Sequence, residues 1–246
     1  MSKNKLLICE PHQIIDASHE LSLTEIRIIQ LTLARNYAKG GLDKDKFYEI
    51  PLQEFADQFN LTIDCAYHAL VDACKTLKTK ILVIKSKLVD PNAGEKTKRI
   101  ISWVDAIEYN PETHKVSLRW HQDIIPFFAK LGEDNPYSKY YLENTCRMQS
   151  IYSIRLYRLC NKWLRAQKLD RDVEEVRRLL GIGDESYTRF SNFRQKVIDI
   201  AVAEVNLLSN IFITYTVEYT GRQATKILFK VNLKVEEKVE EQCQHT

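Results

Sequence analysis

The 246-residue sequence predicts an α+β protein made of two tandem winged-helix domains. Three observations predict it. The apolar period changes from about 3.6 residues to about 2 within each half. Both halves read in the same order: helix, short helix, longer helix, β-hairpin. Between them Gly132-Glu133-Asp134-Asn135-Pro136 has turn residues and no apolar anchor, which places the domains at 1–136 and 137–246. A short helix, a tight turn, a second helix and a hairpin are the parts of a winged helix-turn-helix.

The elements follow in order. Ser22-Leu23-Thr24-Glu25 is a capping box that opens a helix, with Ile26, Ile29, Leu33 and Tyr37 at helical spacing and Ile28 and Leu31 widening the stripe. Gly40-Gly41 stops it. Lys46–Ile50 reads as a short strand before Pro51. Leu52, Phe55, Ala56 and Phe59 form a short amphipathic helix, and Asn60 ends it as a left-handed cap. Thr62 caps the next helix, whose inner face is Ala66, Leu70, Ala73, Cys74 and Leu77. Strands are predicted at Ile81–Lys85, Ile100–Tyr109 and Val116–Trp120, with turns at Pro91–Gly94 and Asn110–Glu112. A helix is predicted over Gln122–Leu131, starting near Ile125 because Pro126 fits only a first turn. Phe47, Tyr48, Phe55, Phe59, Trp103, Tyr109 and Trp120 are predicted as core.

In the second half, helices are predicted at Ile151–Ala166 and at Val173–Leu180, the latter stopped by Gly181. A long helix carries Phe190, Phe193, Val197, Ile200, Ala201, Val205 and Leu208 as its apolar stripe. Strands Phe212–Glu218 and Lys226–Leu233 flank Thr220-Gly221-Arg222.

Composition narrows the function. The longest apolar runs are a few residues, far short of the roughly 18–20 that a bilayer span needs, and the N-terminus is too short in apolar residues for a signal peptide. A cytoplasmic protein is expected. Six cysteines and six histidines show no C-x-x-C, H-x-H or H-E-x-x-H spacing, so neither a metal nor a cofactor is expected. Catalytic signatures are missing too: Gly94-Glu95-Lys96-Thr97 lacks the glycine spacing of a phosphate loop, and no paired histidines stand ready for a nickase. A non-enzyme is expected.

The net charge of +3 is uneven. Residues 1–146 hold 19 Lys and Arg against 20 Asp and Glu, residues 147–234 hold 16 against 9, and the tail from about 235 is acidic, with 1 against 4. A basic second half suits either a polyanion or well-solvated helix faces.

Position separates these readings. With the apolar stripe of the long helix turned inward, Asn192, Gln195, Lys196 and Asp199 face out, Ser191 and Arg194 flank them, and Arg189 precedes the helix. Arg pairs with guanine and Asn or Gln with adenine in a major groove about 12 Å wide. Ser191 or Asn192 also presents a helix N-terminus to phosphate. Arg222 and Lys226 on the hairpin suit phosphate, although a solvated turn looks the same. In the first half Thr62, His68 and Lys75 face outward, opposed by Asp64 and Asp72, so weaker DNA contact or another role is expected there.

The chain also resembles the iteron-binding initiator proteins of theta-replicating bacterial plasmids over about residues 8–233. The resemblance rests on Ile14–Ala17 with Leu21–Arg27, on Ile124–Phe128, on Ser153–Tyr157, on Tyr187–Val197, and on Glu204-Val205-Asn206 with Gly221-Arg222. It implies a monomer that grips a direct repeat at the plasmid origin with both domains, the second giving most base readout. It implies a homodimer through the first domain that represses its own gene at an inverted repeat. It also implies recruitment of a host initiator and the replicative helicase, without nicking. A winged-helix transcription repressor needs the same groove contacts and stays open as the alternative, with an origin nickase behind it.

Overall fold

The computed structural model describes residues 6–37, 42–85, 97–128, 131–132 and 135–234. The predicted turns at Gly40-Gly41 and Pro91–Gly94, the middle of the 132–136 stretch, and the acidic tail lie outside the described residues.

The first unit is built on α2 (Leu23–Tyr37), β3 (Tyr48–Pro51), α3 (Leu52–Phe59) and α4 (Ile63–Thr76). The capping box forms as its residues dictate: Ser22 N–H donates to Glu25 Oε2 at 2.6 Å, and Glu25 N–H donates to Ser22 Oγ at 3.3 Å. Asn60 takes the left-handed conformation (φ 52°) and turns the chain from α3 into α4. Thr62 caps α4 by accepting from Cys65 N–H at 3.2 Å. Two hairpins follow, β4 (Ile81–Lys85) with β5 (Lys98–Ser102), and β6 (Val104–Asn110) with β7 (Lys115–Trp120). The expected single strand Ile100–Tyr109 is therefore two strands in different sheets. The break is Trp103, which is buried at the corner; its N–H donates to the Lys80 carbonyl (3.3 Å) and its carbonyl accepts from His121 N–H (3.2 Å). The expected helix Gln122–Leu131 is only one described turn, α5 (Ile125–Phe128), preceded by turn backbone. Phe47 is also not core. It lies at the rim, 39% exposed, under the Arg119 guanidinium.

The second unit comprises α6 (Ile151–Lys162), β9 (Lys168–Asp172), α7 (Val173–Leu179), a long helix, and the hairpin β10 (Ile211–Thr220) with β11 (Gln223–Leu233). Helix α6 ends earlier than Ala166, because a 3-10 turn at Leu164–Ala166 follows it and Gln167 is left-handed. The long helix runs as α8 (Phe190–Phe193), a π-helical turn (Arg194–Ile198) and α9 (Asp199–Leu208).

The two units share one topology. In the first, β3 pairs with β7, the second strand of its hairpin; in the second, β9 pairs with β11, the second strand of its own. The β4–β5 hairpin is an insertion between α4 and the first wing. The repeated order of elements is thus a repeated fold, two winged helices in tandem.

A layer that the sequence does not announce joins them. Strand β1 (Leu7–Pro11) pairs antiparallel with β8 (Tyr137–Tyr141), and α1 (His12–Ile15) and β2 (Ser18–His19) continue it, β2 pairing with β4. Buried apolar residues of both units form one continuous core.

Candidate nucleic-acid interface

The long helix of the second unit is set in place by residues around its start. Arg177 on α7 is buried, and its guanidinium donates to the carbonyls of Tyr187 (3.0 Å) and Ser186 (2.6 Å) while lying over the Phe193 ring. This folds the 183–187 loop and fixes where the helix begins. Tyr187 adopts φ 52°, reversing the chain into Thr188 and Arg189. Phe190 then meets both Phe193 and Tyr219 edge to face, so the helix start and the wing are packed together.

The π-turn decides which side chains face solvent. One extra residue in a turn retards the rest of the helix by about 100°. Phe193, Val197, Ile198, Ala201 and Val205 become the buried stripe, and Ile200, expected in the core, is 50% exposed. Arg194, Gln195 and Lys196 are consecutively exposed between buried Phe193 and Val197, beside Arg189, Ser191 and Asn192. All six second-unit helix residues predicted from the sequence thus face solvent at one end of one helix.

Asp199 does not point freely outward as expected. Its carboxylate accepts from the Tyr215 hydroxyl of β10 and lies 3.8 Å from Arg194 Nε. Burial and this hydrogen bond push the Tyr215 hydroxyl up to about 12. Tyr215 thereby holds Asp199, and Asp199 biases the direction of the Arg194 guanidinium.

Further along, Asn206 bridges α9 to β10, donating to the Ile213 carbonyl (2.8 Å) and accepting from Ile213 N–H (2.7 Å). Glu204 accepts from Gln149 N–H (2.6 Å) and Ser150 N–H (3.1 Å), capping the N-terminus of α6. These two explain the Glu204-Val205-Asn206 motif as architecture: it ties the exposed helix to the wing and to α6.

The wing turns at Gly221, whose φ of 62° suits glycine. Arg222 is exposed at the tip, and Lys226 is exposed further down β11, opposite Glu218 and Asp172. Between wing and helix lies an open cleft of about 690 Å³ lined by Val173, Glu174, Arg177, Phe190, Phe193 and Arg222, with Thr188 at its edge. The cleft gives the wing tip and the helix start a shared rim.

Thr62, the N-cap of α4 in the first unit, and His68 and Lys75 on that helix are all exposed. Each has a local partner. Thr62 Oγ1 caps the helix, His68 Nε2 is 3.6 Å from Asp64, and Lys75 donates to Asp72 at 2.7 Å, a hydrogen bond that raises the lysine and lowers the aspartate. Sequence reasoning missed Arg177, Tyr215 and Tyr219, since their contacts are set by the fold. The Tyr187–Val197 segment, with aromatics among polar residues before an apolar stripe, was the available signal for the helix start.

Among the described residues no cluster of three or more His, Cys, Asp or Glu could hold a metal ion. No described helix is long and apolar enough to cross a membrane.

Comparisons with known proteins agree with this architecture. The chain matches the family model for the initiator replication protein WH1 domain over residues 7–161 and that for the initiator Rep protein WH2 domain over residues 172–231. The PI protein of Escherichia coli is 26% identical over 238 residues, covering 85% of this chain and 77% of that protein. A replication initiation protein of Escherichia coli is 22% identical over 233 residues, covering 92% of this chain and 69% of that one. The crystal structure of Pi initiator protein in complex with iteron DNA shares the fold, with a TM-score of 0.77 at 22% identity, over 94% of this chain and 99% of that chain. With both family models matched in order across most of its length, the chain belongs to the initiator replication protein family, with a WH1 and a WH2 domain.

Proposed function

We propose that this initiator binds repeated double-stranded sites, iterons, at a plasmid origin and starts theta replication there. The observation that carries the reading is the exposed run Arg189, Ser191, Asn192, Arg194, Gln195 and Lys196 at the start of one helix, with Arg222 on the adjoining wing. Helix side chains of this kind read base edges in the major groove, and a wing arginine suits the backbone. Lys226 is a further exposed cation of the wing, and Thr62, at the N-cap of α4, with His68 and Lys75 on that helix give a weaker second contact, since Asp64 and Asp72 beside them repel phosphate. The main reader is the domain beginning at 137, and the auxiliary one ends at 136. The relative in the solved complex is bound to iteron DNA, which supports the same ligand here.

Autorepression at an inverted repeat needs a dimer, and an exposed apolar face of the first domain supports placing the dimer contact there. Ile81, Val83 and Ile100 share the outer face of the β4–β5 hairpin, with Ile81 45% and Ile100 65% exposed. The host initiator and replicative helicase are the further partners of this reading, which places the protein in the cytoplasm and involves no cofactor or strand nicking.

Footprinting on DNA flanking the gene tests the reading. A ladder of directly repeated protected sites that also confers plasmid maintenance in the presence of the protein is the expected result. Protection of a lone operator without maintenance would favour a repressor. A relaxed or protein-linked product from supercoiled origin DNA with divalent metal would make it a nickase.

A further inference from the structure

The junction between the two units is fastened by ionic and polar contacts that DNA reading alone does not require. Helix α6 presents Arg155, Arg158 and Lys162 on one face, three and four residues apart. Each meets the N-terminal segment. Arg158 is buried against the Glu10 carboxylate, Lys162 pairs with Asp16, and Arg155 donates to His19 Nδ1 at 2.9 Å and to the Leu180 carbonyl. Arg178 of α7 adds a hydrogen bond to the Asp16 carbonyl at 3.1 Å. Beside them, Arg27 of α2 donates to the Met148 carbonyl at 2.9 Å, and Gln30 donates to Tyr140, whose hydroxyl donates to Glu10 at 2.9 Å. His19 sits between Arg155 and Arg158, and burial and these cations hold it neutral.

These attachments are spread over β1, the α1–β2 connection and α2. They tie the N-terminal segment and α2 to α6, to α7 and to the stretch that leads into α6. The packing also reaches both helix-turn-helix units. Helix α2 packs against β1 and α4 on one side, and α6 packs against α9 on the other, with Glu204 capping α6. Opening the seam would leave buried guanidinium groups without their partners, which opposes the opening.

We propose that residues 7–19 are a splint that fixes the two DNA-reading units at one spacing and one rotational phase, with Asp16, acting through Lys162, as a positioning residue for site spacing. The proposal rests on both units touching one DNA site. It makes the protein a ruler: one inserted base pair turns the duplex by about 35°, and a rigid pair of readers cannot follow both halves of the altered site.

The test uses the full-length protein. Hydroxyl-radical footprinting first locates the protected tracts in one repeat. Affinity is then measured on that duplex and on one carrying a single base pair inserted between the tracts. The proteins are wild type, Asp16→Lys, and the charge-reversed pair Asp16→Lys with Lys162→Asp, each checked for folding by circular dichroism. Asp16 and Lys162 are partly exposed, so the reversal does not bury a new lone charge. Wild type is expected to lose at least about 30-fold on insertion. Asp16→Lys is expected to bind the normal duplex about tenfold more weakly yet lose less than about threefold on insertion, and the reversed pair to recover intolerance. Wild type that tolerates the insertion overturns the proposal, whatever the variants do. So does a folded Asp16→Lys that remains as intolerant as wild type. A single protected tract overturns the two-unit grip itself, a different failure from two tracts with unfixed spacing.

Discussion

Gly181 is under two demands at once. It closes α7 with φ 66°, and an added Cβ would collide with the Arg155 guanidinium and the His19 carbonyl. Gly181→Ala is expected to cost about 1–2 kcal/mol for the left-handed backbone alone, and more as Arg155 is pushed from the Leu180 carbonyl. A total above about 3 kcal/mol in urea denaturation is the expected result, and a loss below about 1 kcal/mol would mean the junction has slack there. The sequence shows this glycine as a helix stop but not as a contact, because Arg155 and His19 lie 136 residues apart. At the reading end, Arg194→Ala should remove about 1–3 kcal/mol of preference for cognate over scrambled duplex. Arg222→Ala should weaken both duplexes alike. Competition binding separates the two, and an unchanged ratio for Arg194→Ala would move readout to α4. Arg194 was legible from helical phase. The Asp199–Tyr215 tether was not, since it depends on β10 lying beside the helix.

Among the elements, the long helix best shows how far periodicity carries. Its existence, its length and most of its apolar stripe follow from the 3.6-residue period. The π-turn at Arg194–Ile198 does not, because an extra residue per turn leaves no signature in a short apolar pattern. Its effect is to exchange Ile198 for Ile200: the first is fully buried and the second is half exposed. Ile198→Ala should therefore cost about 2–4 kcal/mol, whereas Ile200→Ala should stay within about 1 kcal/mol. Thermal denaturation of both variants checks this, and a larger loss for Ile200→Ala than for Ile198→Ala would argue for an unbroken α-helix. The hairpins were legible as strands and turns, but the corner at Trp103 was missed, since strand-like residues run through it without a Gly or Pro break. Strands β1, β8 and β9 were missed for a related reason: each is short, and its partner lies elsewhere in the chain.

At the scale of the whole molecule, charge and seam work together. The tandem repeat of winged helices was readable from element order. The layer joining them was not, because its pairs, such as Glu10 with Arg158, are separated by 148 residues and look like ordinary surface charges in sequence. Buried at the junction, Arg155 and Arg158 are withdrawn from DNA contact, as is Arg177 beneath the long helix, so the basic excess of residues 147–234 overstates the charge available to phosphates. Exposed cations remain, among them Arg189, Arg194, Lys196, Arg222 and Lys226 on the long helix and wing, joined by α4 of the first unit. A fastened pair of units making about 6–10 phosphate contacts should give a log–log slope of affinity against salt of roughly −5 to −9. Arg222→Ala should make that slope shallower by about one. Arg158 is the internal control: being buried, it should contribute to the slope only through the geometry of the seam. Measured between about 50 and 200 mM salt, a wild-type slope shallower than about −2 would show that the solvent-facing helix and wing do not track the DNA backbone.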